Sequence, residues 1–200
     1  MFTLFYGLYE FLFKRDEFHI LILGLDKAGK TNVLERIKTF YSPVVGLDPG
    51  KILPTVGLNV GRVEAYNSSL VIWDLGGQPG LQSIWDKYYD ESHAVIYVVD
   101  SENEVRFDET RHALERVLAS PKLAGAPVIL MANKQDLSSA RTPHDVADIL
   151  GFGRVDSRPT KIMPVCAYTG QGVKESIEWL VDMIKRSPRA TKLRVKNSTK

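Results

Sequence analysis

A single cysteine, Cys166, occurs in 200 residues, which excludes an internal disulfide framework and suits a reducing, cytoplasmic setting. No apolar run approaches the ~20 residues that a helix needs to span a bilayer. The start of the chain lacks a basic segment and a small-residue cleavage site, so it does not read as a secretory signal. An excess of either charge is missing too. Lys and Arg number 26 against 24 Asp and Glu, and a net charge of +2 gives no electrostatic case for nucleic acid. Repeats and low-complexity tracts are absent. What remains is 44% hydrophobic and 25% charged, the composition of one ordinary globular domain with appendages and enough chain to bury a sizeable core.

Strand-like apolar runs fall at 18–24, 58–66, 70–75, 93–100, 127–133 and 161–166, with helical patterns over 30–40, roughly 80–90, 103–120, 142–151 and 172–187. Only Asn67-Ser68-Ser69 separates the second and third runs, which predicts an antiparallel hairpin. The other strands are joined through helices, which requires parallel pairing and right-handed crossovers. The expected fold is therefore α/β, a doubly wound six-stranded and mostly parallel sheet with one antiparallel edge strand. Residues 41–57, with Pro43, Gly46, Pro49, Gly50 and Pro54, read as a long functional loop without structure of its own. Residues 188–200 read as a flexible basic tail.

Gly24-Leu-Asp-Lys-Ala-Gly-Lys-Thr31 follows the first strand and opens the first helix, the required setting for a phosphate loop. Gly24 and Gly29 let backbone N–H groups close on phosphate oxygens, Lys30 reaches the β- and γ-phosphates, and Thr31 offers a hydroxyl to Mg²⁺. Asp26 and Ala28 complete this loop; the Asp26 charge should not help an anionic transition state. Trp73-Asp74-Leu-Gly-Gly77-Gln78 closes the hairpin. Asp74 at a strand's carboxyl end can hold Mg²⁺ through water, and the N–H of Gly77 can approach a γ-phosphate. Gln78 can orient a water for in-line attack. Asn133-Lys134-Gln-Asp136 ends the fifth strand and selects the base. Asp136 can accept the adjacent N–H and NH₂ of guanine, which adenine does not present. Lys134 can lie along the ring, Asn133 can tie this loop to the phosphate loop, and the N–H of Ala167 can meet the guanine oxygen. Cys166 in the same Val165-Cys166-Ala167 segment is counted with the nucleotide-binding residues, although its thiol itself reads as small packing.

The order and spacing of these motifs resemble the Ras superfamily. Their wording resembles its ADP-ribosylation factor branch, in Gly24-Leu-Asp-x-Ala-Gly-Lys-Thr31, Pro54-Thr-Val-Gly-Leu-Asn59, Trp73-Asp-Leu-Gly-Gly-Gln78, Trp85-x-x-Tyr-Tyr89 and Asn133-Lys-Gln-Asp136. Leu81-Gln-Ser-x-Trp-Asp-Lys-Tyr-Tyr89 and Gly172-Val-x-Glu-x-Ile-Glu-Trp-Leu180 most resemble its ADP-ribosylation factor-related members. The resemblance spans about residues 1–186 and implies a GTPase cycling between GDP and GTP with Mg²⁺. It implies that Thr55 ligates Mg²⁺ only beside a γ-phosphate, so that Gln78, Lys30 and Thr55 carry the chemistry. It implies an effector surface at Leu58, Trp73 and Trp85, with Leu58 where the family usually has Phe. Expected partners are an exchange factor, an activating protein, effectors and an integral Golgi membrane receptor. The expected state is a monomer, reversibly bound to trans-Golgi membranes in vesicle trafficking.

Residues 1–15 read as an amphipathic helix, with Phe2, Phe5, Tyr6, Leu8, Tyr9, Leu12 and Phe13 on one broad arc. It suits a membrane interface or a hydrophobic groove. Phe2 stands where myristoylation needs glycine, and the resemblance implies acetylation of Met1 instead. No arginine precedes Thr55 in its loop, and Lys51 cannot offer a planar fork, so slow hydrolysis assisted in trans is expected. Pro79 replaces the acidic residue expected after Gln78. The domain boundaries so read are 1–15, 16–187 and 188–200. A P-loop phosphotransferase of small molecules is disfavoured by Asn133-Lys-Gln-Asp136 and by the lack of an Arg-rich lid. A non-hydrolysing GTP-bound scaffold has only Pro79 in its favour.

Overall fold

The computed structural model describes residues 15–43, 46–47, 49–153 and 158–198. The predicted amphipathic helix and Met1 lie outside the described residues, apart from Arg15 itself.

The sheet forms as its patterning predicts. Strands β1 (Asp16–Leu23), β2 (Leu58–Ala65), β3 (Ser68–Leu75), β4 (Ala94–Asp100), β5 (Val128–Asn133) and β6 (Thr160–Pro164) align in the order β2-β3-β1-β4-β5-β6. Only β2 and β3 pair antiparallel. The helices are α1 (Lys30–Tyr41), α2 (Phe107–Leu118), α3 (Pro143–Leu150), α4 (Val173–Arg186) and α5 (Pro188–Ser198). Alternation along β1 divides the core. Ile20 and Ile22 face α1 and α4 through Leu34, Ile37, Ile177 and Leu180. Leu21 and Leu23 face the other way, toward Leu114, Val117, Val146 and Trp85. Each such side chain, fully buried, stabilises the fold by about 1.5–3 kcal/mol over its exposed form. The result is a sheet in which the carboxyl ends of the five parallel strands, and the start of β2, lie at one rim.

Four elements differ from their sequence reading. The hairpin turns at Tyr66-Asn67, both left-handed at φ 51° and 57°, and Ser68 already begins β3. That is the two-residue loop whose twist matches the strands, and Asn tolerates it well. The segment Pro79–Glu91 winds as 3₁₀ rather than α-helix, because its aromatic anchors Trp85 and Tyr89 are pulled into the core and tertiary packing overrides propensity. Where a flexible tail is expected, Pro188–Ser198 is the helix α5. Ser187 Oγ accepts the Arg189 N–H at 3.2 Å, and the Arg189 guanidinium donates to the carbonyls of Tyr89 at 2.6 Å and Ser92 at 2.8 Å. Leu193 is buried, and Arg194 pairs with Asp16 at the start of β1. A Ser-Pro pair is the N-cap and first-turn signal that reveals such a helix. The loop between α1 and β2 holds one short 3₁₀ turn of its own, Pro49–Lys51.

Candidate nucleotide-binding site

A cavity of about 460 Å³ opens at the carboxyl ends of the strands, where β1 and the hairpin diverge from β4 and β5. Five segments line it. They are Asp26, Lys27 and Gly29 to Asn32; Ile52 to Thr55; Gly77 and Gln78; Asn133, Lys134, Asp136 and Leu137; and Ala167 and Tyr168. Gly24, Ala28, Asp74 and Cys166 sit behind the wall rather than in it.

The phosphate loop is bent by left-handed residues, Lys27 at φ 65° and Gly29 at φ 92°, before α1 begins. A Cβ on Gly29 would lie 2.4 Å from Asn133 Nδ2, so no other residue fits without displacing that amide. Lys30 is buried and its ammonium donates to the Leu25 carbonyl at 2.7 Å. Burial lowers its pKa to about 8, while Asp74 and Asp26 oppose the shift. A phosphate placed here would restore the charge that burial weakens.

Asp74 is wholly buried, and its Oδ2 accepts from Thr31 Oγ1 at 2.7 Å and Thr55 Oγ1 at 3.3 Å. The two hydroxyls lie 2.8 Å apart. Burial raises the Asp74 pKa, against the bonds from Thr31 and Thr55 and the charge of Lys30. Asn59, opposite Asp74 on β2, also favours the charged form, and among the described residues the buried Oδ1 has no hydrogen bond of ordinary geometry. An orphaned carboxylate oxygen beside two hydroxyls is a hard oxygen donor set, and it fits Mg²⁺ shared with phosphate oxygens and water. Gly77 closes this side. A Cβ there would fall 2.4 Å from Gly24 O and 2.5 Å from Asp26 N, so the hairpin end lies directly on the phosphate loop. Gln78 is exposed on the cavity wall.

On the opposite rim, Asn133 joins three segments. Its Nδ2 donates to Ala28 O at 2.8 Å and its Oδ1 accepts the Ala167 N–H at 2.9 Å. The tie to the phosphate loop is the one expected. The Ala167 N–H, expected to be free for a base oxygen, is committed to Asn133 and can reach a ligand only as a shared donor. Asp136 is exposed at the rim. Lys134, left-handed at φ 67°, lines the wall while its ammonium pairs with Asp100 at 2.6 Å.

Other expectations are corrected. Asp26 does not present a free charge: Arg106 donates to its carboxylate at 2.8 Å and to its carbonyl at 3.1 Å. Trp85 is no surface residue. It is 3% exposed and its indole N–H donates to Gly76 O at 3.0 Å, a core role that the bulk of the ring favours. Trp73 is half-buried against His19 and Tyr88, and Leu58 is exposed beside Val60. Cys166 is buried, with Sγ accepting the Thr169 N–H at 3.4 Å. Sequence reasoning missed Arg106, Asp100 and Arg36, whose guanidinium donates to Ala167 O at 3.3 Å and also to Tyr168 O. Their partners are 80, 34 and more than 100 positions away, so no local pattern marks them.

A phosphate loop, a metal-fitting hydroxyl pair and a base-reading rim, set on this strand order, place the chain among the small P-loop GTPases. The sequence model of the ADP-ribosylation factor family matches residues 5–184. The chain is 46% identical over 190 residues to human ADP-ribosylation factor-related protein 1, covering 94% of each chain. It is 37% identical over 194 residues to ADP-ribosylation factor-like protein 3 of Saccharomyces cerevisiae, covering 95% of this chain and 97% of that one. The solved structure of the Arl6 BBS3 small GTPase from Trypanosoma brucei, with bound nucleotide analogue GppNp, superimposes with a TM-score of 0.75 at 28% identity. That likeness covers 85% of this chain and 98% of the other. The chain belongs to the ADP-ribosylation factor family. It is a GTP-binding switch protein that hydrolyses GTP, in a family whose members bind GTP or GDP with Mg²⁺ and work with exchange factors, activating proteins and effectors.

Proposed function

We propose that this protein is a membrane-recruited GTP switch in Golgi vesicle trafficking, in which the γ-phosphate is read by Thr55 and Gly77. The observation that carries this reading is the meeting of Thr31, Thr55 and Asp74 with the hairpin end, all at the mouth of the phosphate loop. Gly29 and Lys30 hold the phosphates of GTP or GDP; Gly24, Ala28 and Asn133 hold the loop in shape; Asp136 and Lys134 bind the guanine. Thr31 and Thr55 would hold Mg²⁺ directly and Asp74 would hold it through water. When bound, Mg²⁺ neutralises developing phosphate charge. Gln78 positions the attacking water.

Slow hydrolysis without help follows from the cavity wall, which contains no arginine among the described residues. Arg106, nearest in character, is turned onto Asp26 and Glu109. An activating protein would supply the missing fork. Leu58 with exposed Val56 and Val60 forms the apolar surface for effectors, with Trp73, opposite Val60 in the hairpin, at its edge. Among the described residues no helix is long and apolar enough to cross a membrane. Recruitment therefore rests on the apolar arc of residues 1–15, an acetylated Met1 and an integral Golgi membrane receptor. Cytoplasmic and Golgi-bound pools would exchange with the nucleotide.

Single-turnover hydrolysis and localisation test this together. Thr31→Asn should disperse the protein from Golgi membranes and Gln78→Leu should hold it there. Turnover of order 1 s⁻¹ without a partner, or a distribution indifferent to both substitutions, refutes the reading.

A further inference from the structure

Thr55 meets Thr31 and Asp74 only if the loop before it lands in the right place, and the fastening for that loop is on α1. Glu35 is 4% exposed, and a carboxylate is tolerated at such depth only with partners. Its Oε1 takes the Lys38 ammonium at 2.6 Å and its Oε2 accepts the Leu47 N–H at 3.0 Å. One turn on, Thr39 Oγ1 accepts the Gly46 N–H at 3.2 Å and donates to Glu35 O at 2.9 Å. A Cβ on Gly46 would lie 2.4 Å from that carbonyl, so the loop backbone is pressed against the helix. Beyond Leu47 come the 3₁₀ turn at Pro49–Lys51 and the wall residues Ile52 to Thr55. At the far end Gly57 O accepts the Gly76 N–H at 2.9 Å.

We propose that Glu35 is a positioning residue for GTP. By holding Leu47 on α1 it anchors the chain that leads to Thr55 and so favours the arrangement in which Thr55 meets the γ-phosphate side of the site. The inference rests on the reading of Thr55 given above. Without the Glu35 bond the loop keeps only its hold at Gly46 through Thr39. The bond to Leu47 belongs to the arrangement that brings Thr55 to Thr31 and Asp74, so its loss weakens that arrangement roughly tenfold. GDP, which does not call on Thr55, is spared.

The test is competition binding of GDP and of a non-hydrolysable GTP analogue to the full chain with Mg²⁺. Glu35→Ala should weaken the analogue roughly tenfold and GDP less than about twofold. Glu35→Gln, which keeps a neutral acceptor for Leu47, should recover most of the loss. Equal weakening of both nucleotides, or none, overturns the proposal by showing that Glu35 merely supports the fold. If Glu35→Ala does not fold, Thr39→Val must show the same selectivity at about threefold, and an unchanged ratio there overturns it. Thr55→Ala separates the two levels. If it lowers the analogue-to-GDP preference while the Glu35 variants do not, the tether is wrong and the reading of Thr55 stands. If it leaves the preference unchanged, the reading of Thr55 fails and takes the tether with it.

Discussion

Truncating Asn133 should loosen both the fold and the nucleotide, because three segments hang on one buried amide. The side chain is 3% exposed and makes two hydrogen bonds, at 2.8 Å to Ala28 O and 2.9 Å from Ala167 N. In Asn133→Ala each lost bond costs about 1 kcal/mol net, and the carbonyl and N–H left behind add a further desolvation cost. About 3 kcal/mol of stability should disappear. The same loss frees the phosphate loop from the Val165–Ala167 segment, so GDP should dissociate on the order of 10² times faster. Asn133→Asp is the sharper control. It keeps an acceptor for Ala167 but sets a carboxylate oxygen against the Ala28 carbonyl, so it should cost at least as much as alanine. Urea unfolding of the GDP-loaded protein, corrected for the change in GDP affinity, measures the first quantity, and release of a fluorescent GDP measures the second. A loss below about 1 kcal/mol, or an aspartate variant as stable as the parent, would refute the three-way tie.

Acid should weaken the fold through His93. Burial first, then the charges of His19 and Arg189, lower its pKa to about 4 from 6.5. The unfolded chain therefore binds a proton that the native state refuses, and stability present above pH 6.5 is lost as pH falls toward 4. The full span is on the order of 3 kcal/mol; urea midpoints across that range should fall less steeply in His93→Gln, and an equal slope sinks the assignment. Arg106→Ala frees the Asp26 carboxylate beside the phosphate side and should weaken a GTP analogue about threefold to tenfold, by competition binding. An unchanged affinity would mean that Asp26 faces solvent regardless. Arg189→Ala strips the donor from the Tyr89 and Ser92 carbonyls and should cost about 2 kcal/mol in thermal unfolding, with loss of α5 helicity. Unaltered melting would show α5 to be loosely held.

The sheet and the cavity were legible because their signals are local. Short apolar runs and period-3.6 patterning between them mark every strand of the hairpin and of the parallel core. Gly24 to Thr31, Asp74 to Gln78 and Asn133 to Asp136 each occupy a strand end, so their convergence followed from topology alone. What stayed hidden depends on partners far apart in sequence. Nothing beside Asp26 announces Arg106, and nothing beside Lys134 announces Asp100. Trp85 was assigned to a surface by resemblance, whereas its indole N–H finds a carbonyl that only the folded chain brings near. The tail was misjudged for a different reason. Its basic composition masked a capping signal at Ser187-Pro188 and one apolar anchor, Leu193.

Strand β3 has Asp74 opposite Ile22 near one end and Ser68 opposite Asp16, the first residue of β1, at the other. Eight residues of strand are a rod of about 26 Å. Side chains alternate, so the smallest slip along a neighbour that keeps Leu70 and Ile72 inward is two residues, about 6.6 Å. A change of register along this rod would therefore carry the metal-fitting corner and the start of β1 together, in whole steps. Such a connection works like a ratchet, not a spring.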